Sequence, residues 1–305
     1  MERPHGIVLI AEGRYLSQAQ PTGLYEELRG RGVAVRVVDP ESPTPGACDL
    51  RAADWIDGAE GCVARGRSDA VLAALGEAER RGVPVLNPSS SIRRVVDKAA
   101  MGRELARAGV PIPLTWAGDP AGLVDCVPAS EYPVIAKPAF GDNCRGVQVC
   151  DGPAELAALA SGDAARTGIR PGETILVQPY LATDGFDLKL YGVGRHAWAI
   201  RKPSPMAGIA SGARPHRLAL SPTLRSLAER CGEIFHLDLW GVDCIETPAG
   251  PLVIEVNEYP NYTGVAGASG AIADLLLARA GAPRPVGASQ RKTPVLTRVA
   301  PGVTR

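Results

Sequence analysis

The sequence predicts an α/β protein in which a small doubly wound parallel unit precedes two lobes of antiparallel sheet with packed helices. Three observations predict it. Apolar strand-length runs alternate with helical patterns over roughly the first hundred residues. A stretch with two prolines, Gly109 to Pro113, then breaks the chain. Beyond it, short strands are joined by turns too brief for parallel crossovers.

Gly6-Ile-Val-Leu-Ile-Ala11 is a continuous apolar run followed by Gly13, as expected of a parallel strand buried on both faces. A helix over Thr22 to Arg31 leads to a second strand, Val33 to Val38. The third strand, Glu60 to Ala64, passes through Arg65-Gly66-Arg67 to a helix over Asp69 to Arg81, and Val83 to Leu86 is the fourth. Ser89 to Ser91 offer caps for one or two helices over Ile92 to Ala108. The expected organisation is an N-terminal unit (1–88), a helical connector (89–113), a central lobe (114–182), a C-terminal lobe (183–282) and an extended, mobile basic tail (283–305).

In the central lobe, Val134-Ile-Ala-Lys-Pro138 and Val147 to Cys150 flank a loop with glycines at both ends, Gly141-Asp-Asn-Cys-Arg-Gly146. A short helix and the strand Thr174 to Gln178 follow. The C-terminal lobe has antiparallel strands Asp187 to Tyr191 and His196 to Arg201. Its helix, Pro222 to His236, starts at the cap Ser221 and carries an apolar stripe that reads as core packing.

Composition excludes several classes. Among 305 residues, 45% are hydrophobic, enough to bury a core. Lys plus Arg and Asp plus Glu both number 33, so no net charge draws the chain to nucleic acid or a membrane surface. No run reaches bilayer length, and the seven cysteines form no ligand-like spacing, so a cytoplasmic protein with reduced thiols is expected. The four histidines share no spacing for zinc or a catalytic dyad.

The most informative stretch is Gly241-Val-Asp243-Cys-Ile-Glu246, a turn, and Pro251-Leu-Val-Ile-Glu255-Val-Asn257. Alternate strand residues share a face, so Glu255 and Asn257 point the same way, about 6–7 Å apart, with Leu252, Ile254 and Val256 on the other face. A three-residue loop, Pro248-Ala249-Gly250, would pair Thr247 with Pro251 and set Asp243 opposite Glu255; a two-residue loop would set it opposite Ile254. The three-residue register is the one expected here. Two carboxylates and an amide on one patch then suit a hard cation completed by water and phosphate oxygens, namely magnesium.

Lys137 lies among apolar strand residues, where an ammonium needs an anionic partner such as phosphate. Gly141 and Gly146 let backbone N–H groups approach an anion closely. Lys98 on its own reads as a solvated helix residue. Gln178-Pro-Tyr-Leu181 ends a strand at a proline and frees backbone groups for an adenine edge.

In this order (lysine, strand lysine, glycine loop, hinge, basic hairpin, Asp followed by Glu-x-Asn) the features resemble the ATP-grasp superfamily over roughly residues 1–280. The resemblance implies two antiparallel lobes that clamp ATP. It assigns Lys98 and Lys137 to phosphates, Gly141, Asn143 and Gly146 to the covering loop, Gln178, Tyr180 and Leu181 to adenine, and Asp184 to ribose. It makes Asp243, Glu255 and Asn257 ligands of two magnesium ions, for which manganese can substitute. Val63-Ala-Arg-Gly-Arg67 and Gly82 to Asn87 are similar to RimK-like carboxylate–amine (glutamate) ligases. Arg201-Lys-Pro-Ser204 and Asn257 to Val265 are similar to inositol polyphosphate kinases.

The implied function is ATP-dependent amide formation between small-molecule or peptide carboxylates and amines, through an acyl phosphate. Arg201, Lys202, Arg214 and Lys189 are the candidate catalytic cations, and residues 207–213 a candidate lid. The alternative is a small-molecule kinase using a cationic pocket of Arg14, Arg65, Arg67, Arg93 and Arg94; a nucleotide-binding regulator without chemistry is a third. Pro179 and Lys189 stand where ligases commonly carry Glu and Arg. Nucleic-acid and membrane partners are not expected, and a homo-oligomer is left open.

Overall fold

The computed structural model of the protein describes residues 6–42, 55–141, 144–160, 167–170, 172–206 and 214–281. The expected tail, the 207–213 stretch and Asn143 lie outside them. The first sheet is parallel. Strand β1 (Gly6–Ala11) is flanked by β2 (Ala34–Val38) and β3 (Ala59–Arg65), with β4 (Val85–Leu86) beside β3. Because β1 alternates, Ile7 and Leu9 pack on Leu24 and Leu28 of helix α1 (Ala19–Gly30), while Val8 and Ile10 pack on Val71 and Leu75 of α2 (Asp69–Arg80). Both faces are covered, which is why β1 reads as an unbroken apolar run.

The connector forms two helices, α3 (Ser89–Val96) and α4 (Lys98–Arg107). Asp97 separates them, its Oδ1 accepting the N–H groups of Ala99 and Ala100 at 2.8 and 3.0 Å. That cap fixes Lys98 at the first position of α4, where it is only 7% exposed. The solvated lysine expected at 98 is therefore buried instead.

The second sheet is antiparallel, in the order β5 (Trp116–Gly118), β8 (Ile175–Pro179), β6 (Val134–Pro138), β7 (Gln148–Cys150). Val134 and Ala136 face a core with Leu123 of α5 (Pro120–Leu123) and Leu156 of α6 (Pro153–Ala160). Ile135 and Lys137 thus turn to the opposite side.

The third sheet, also antiparallel, runs β11 (His216–Leu218), β10 (His196–Pro203), β9 (Phe186–Val193), β12 (Leu239–Thr247), β13 (Gly250–Asn257). Leu188 and Leu190 of β9 pack with Ala228, Cys231 and Phe235 of α7 (Pro222–Phe235). The alternate residues Asp187, Lys189 and Tyr191 face away from α7, toward the second sheet's uncovered side. Gly192 tolerates no side chain, since a Cβ there would fall 2.0 Å from the Trp240 ring.

The last described helix, α8 (Ala268–Ala280), returns to the first sheet, where Ile272, Ala273 and Leu276 join Ile7, Leu9 and Val63 in one core. Among the described residues no helix is long and apolar enough to cross a membrane.

Candidate functional site

The carboxylate hairpin is built differently from the expected one. Thr247 pairs with Gly250, so the loop is the two residues Pro248 and Ala249. Cys244 then pairs with Val253 but Asp243 with Glu255, because Ile254 forms a bulge between them. The surplus residue sits in the strand, not in the turn, and Asp243 still stands opposite Glu255. The bulge also turns Ile254 to the same side as Glu255 and Asn257, leaving Val253 and Val256 in the core. The expectation that Ile254 faces away is corrected.

Asp243, Glu255 and Asn257 line one cleft of about 560 Å³ between the second and third sheets, reached also by the carboxyl end of the first. Lys98, Lys137, Gly141, Gln178, Tyr180, Leu181, Lys189 and Lys202 line the same cleft. Lys189 lies across from Asp243 on β9, with Nζ 2.7 Å from Oδ2 and 3.7 Å from an Asp187 oxygen. Burial alone would lower the Lys189 ammonium, but the carboxylates of Asp243 and Asp187 outweigh it and hold it above the usual lysine range. Lys98 Nζ lies 3.5 Å from Glu255 and donates to the Gly141 carbonyl at 2.5 Å. Burial pushes the Lys137 ammonium down; Glu255 pulls it back up, and the charge of Lys98 depresses it further.

Other candidates lie elsewhere. Arg201 precedes Lys202 on β10 and so takes the opposite face, where it contacts Asp184 and lies 3.3 Å from Glu246. Asp184 and Arg201 do not line the cleft, although Thr183 beside Asp184 does. Arg214 does not line it either. Gly146 shapes the turn: at φ +73 a Cβ would meet Pro138 at 2.8 Å. Arg93 approaches Asp69 and Arg94 pairs with Glu104, so neither joins Arg65 and Arg67 in a cationic pocket.

Gln178 Nε2 donates to Thr115 Oγ1 at 2.9 Å, and the Tyr180 N–H to the Pro133 carbonyl at 2.8 Å, fixing the strand exit. The sequence reading missed the contribution of Tyr15, Gln18, Ser204, Asn261 and Thr263, which also line the cleft. Tyr15 and Gln18 follow Gly13, just past the end of β1, the one signal pointing to them.

Asn87 ties this site to the first sheet. Its Oδ1 accepts the N–H groups of Asp238 and Leu239 at 2.7 and 3.0 Å, and its Nδ2 donates to the carbonyls of Leu239 and Glu258 at 2.8 and 2.5 Å. Arg67 Nη2 reaches Glu258 at 3.0 Å and Asn257 Oδ1 at 3.4 Å.

Two antiparallel sheets that face lysines and a carboxylate hairpin across a cleft define an ATP-grasp architecture. A solved D-cycloserine synthetase shares it at TM-score 0.68 and 22% identity, over 90% of this chain and all of that one. The ATP-grasp ligase PsnB, solved with a minimal precursor, Mg and ADP, shares it at TM-score 0.64 and 19% identity, over 90% of this chain and 98% of that one. A protein-family model described as the RimK-like ATP-grasp domain matches residues 95–280, and the chain belongs to that family. A probable alpha-L-glutamate ligase of Aeromonas salmonicida is 30% identical over 206 residues, 65% of this chain and 67% of the relative. The protein is thus an ATP-grasp ligase. The likeness to inositol polyphosphate kinases gains no support from these relatives.

Proposed function

We propose that the protein forms an amide bond between a carboxylate and an amine, using ATP to convert the carboxylate to an acyl phosphate. The observation that carries this reading is the charge pattern of the cleft: Lys98, Lys137 and Lys189 interleave with Asp187, Asp243 and Glu255. Lys98 pairs with Glu255, and Lys189 with Asp243 and Asp187. A triphosphate with magnesium offers each side a better partner, lysines to phosphates and carboxylates to cations.

The donor set fits magnesium on its own terms. Among the described residues no three His, Cys, Asp or Glu side chains gather as ligands. Asp243, Glu255 and Asn257 therefore supply an incomplete set that water and phosphate oxygens complete, the usual condition of magnesium at a nucleotide. The cations, two by our reading and replaceable by manganese, would neutralise charge on the phosphates during transfer. Lys98 and Lys137 would hold phosphate oxygens, the Gly141 loop would cover them, and Gln178 to Leu181 would frame the adenine. Lys202 and Lys189, which line the cleft, would stabilise the oxyanion formed when the amine attacks. The enclosing sheets keep water from an acyl phosphate.

The substrate pair is a small-molecule or peptide carboxylate and an amine, with L-glutamate the first to try, as the relatives' names suggest. The deciding experiment is an ATP-consumption screen of amino acids and amines, singly and in pairs. Phosphate released only when acid and amine are both present supports the reading; a phosphorylated product without free phosphate overturns it. In that assay Glu255→Gln or Asn257→Ala should lower the rate by at least ~2–3 orders of magnitude, and near-wild-type turnover in either would remove the metal assignment.

A further inference from the structure

Arg65 ends β3 at the cleft and is buried there, 9% exposed. Its guanidinium lies 4.2 Å over the Tyr15 ring and 5.7 Å from that of Tyr259. Among the described residues it makes one side-chain hydrogen bond, Nη2 to Gln18 Oε1 at 3.3 Å, and its Nε has no partner.

The neighbouring acids are committed elsewhere. Glu12 accepts the N–H groups of Arg67 and Ser68 at 2.7 and 3.1 Å and pairs with Arg14. Glu258 pairs with Arg67. A guanidinium keeps its proton at any ordinary pH, so a buried one without a counter-charge is costly unless an anion joins it.

We infer that Arg65, stacked on Tyr15 and oriented by Gln18, forms a subsite for a carboxylate of one ligated substrate, distinct from the carboxylate that is activated. The inference rests on the ligase reading and names what anchors the substrate. A single guanidinium beside a neutral amide matches one negative charge. The triphosphate is already matched by Lys98 of the connector, Lys137 of the second sheet and the magnesium held at the hairpin, whereas Arg65 enters from the first sheet. The guanidinium N–H groups, only one of which donates to a side chain, are left to donate to the oxygens of a planar carboxylate.

The test is calorimetric binding to the full chain, with AMP-PNP and magnesium present, of free amino acids and dicarboxylates against their amides. At least one free acid should bind the wild type at least about tenfold tighter than the amide that removes its anchoring carboxylate. Arg65→Gln should erase that preference with AMP-PNP affinity unchanged. Arg65→Lys, which keeps the charge and loses the fork, should retain part of it, and it carries the comparison if Arg65→Gln does not fold. The proposal is overturned if no acid in the panel is preferred over its amide, if Arg65→Gln keeps the preference, or if that variant weakens AMP-PNP instead. Failure of the wild type to bind AMP-PNP would sink the ligase reading itself, a separate outcome.

Discussion

Lys189 and Asp243 face each other on adjacent strands, Nζ 2.7 Å from Oδ2, both largely shielded from water. Lys189→Met would strand the Asp243 carboxylate, a loss of about 2–3 kcal/mol of folding stability. Because the folded protein holds the Lys189 proton more tightly than the unfolded chain, this contribution is complete below the ordinary lysine pKa of about 10.4 and fades only as pH rises beyond it. Urea unfolding of both proteins should give a constant difference from pH 7 to 9 that narrows above about pH 10.5.

Lys137 works in the opposite sense. Burial lowers its pKa in the fold, so between the folded and unfolded values the unfolded chain binds more protons and stability rises with pH. Lys137→Met should leave the ligand-free protein as stable or up to about 1 kcal/mol more stable at neutral pH. It should also flatten the rise in stability toward alkaline pH and weaken AMP-PNP binding at least about tenfold. Thermal unfolding across pH, with and without AMP-PNP, checks all three.

Asn87 satisfies four backbone groups of the third sheet and its exit from a buried position. Replacing it with alanine leaves buried donors and acceptors unmet and should cost about 2–4 kcal/mol in urea denaturation. A change under about 0.5 kcal/mol would mean that water replaces the amide.

Lys202 and Arg201 are neighbours in sequence on opposite faces of β10. Lys202→Ala should depress turnover by about tenfold or more. Arg201→Ala removes exposed pairs with Asp184 and Glu246 and should alter turnover less than threefold, roughly what surface ion pairs contribute. Equal losses in the ligation assay would contradict the faces assigned here.

Much of this was legible in the sequence because burial writes itself as periodicity. The continuous run at β1 and the alternation around Lys137 mark their faces directly. The hairpin shows the limit: one residue too many lay between Asp243 and Glu255, and Gly250 made the turn the natural place for it. The structure puts it at Ile254, because a bulge there lets two consecutive residues face the cleft, a gain invisible to propensity. Lys98 misled for a similar reason, as only the Asp97 cap and the docking of α4 on the Ala139 carbonyl bury it. Tyr15 and Gln18 escaped, and Arg65 was singled out only for a cationic pocket, because their relation to the hairpin is made by tertiary packing, far apart in the chain.

The return of α8 means that the beginning and end of the described chain are stitched into one hydrophobic wall. A fragment cut after Pro113 would bare Ile7, Leu9 and Val63 on one side of its sheet, and a fragment starting at Val95 would carry an orphaned helix with nothing to lie upon. Neither piece is a ready-made module for transplantation, and swapping the first sheet between relatives would require moving residues 268–280 with it.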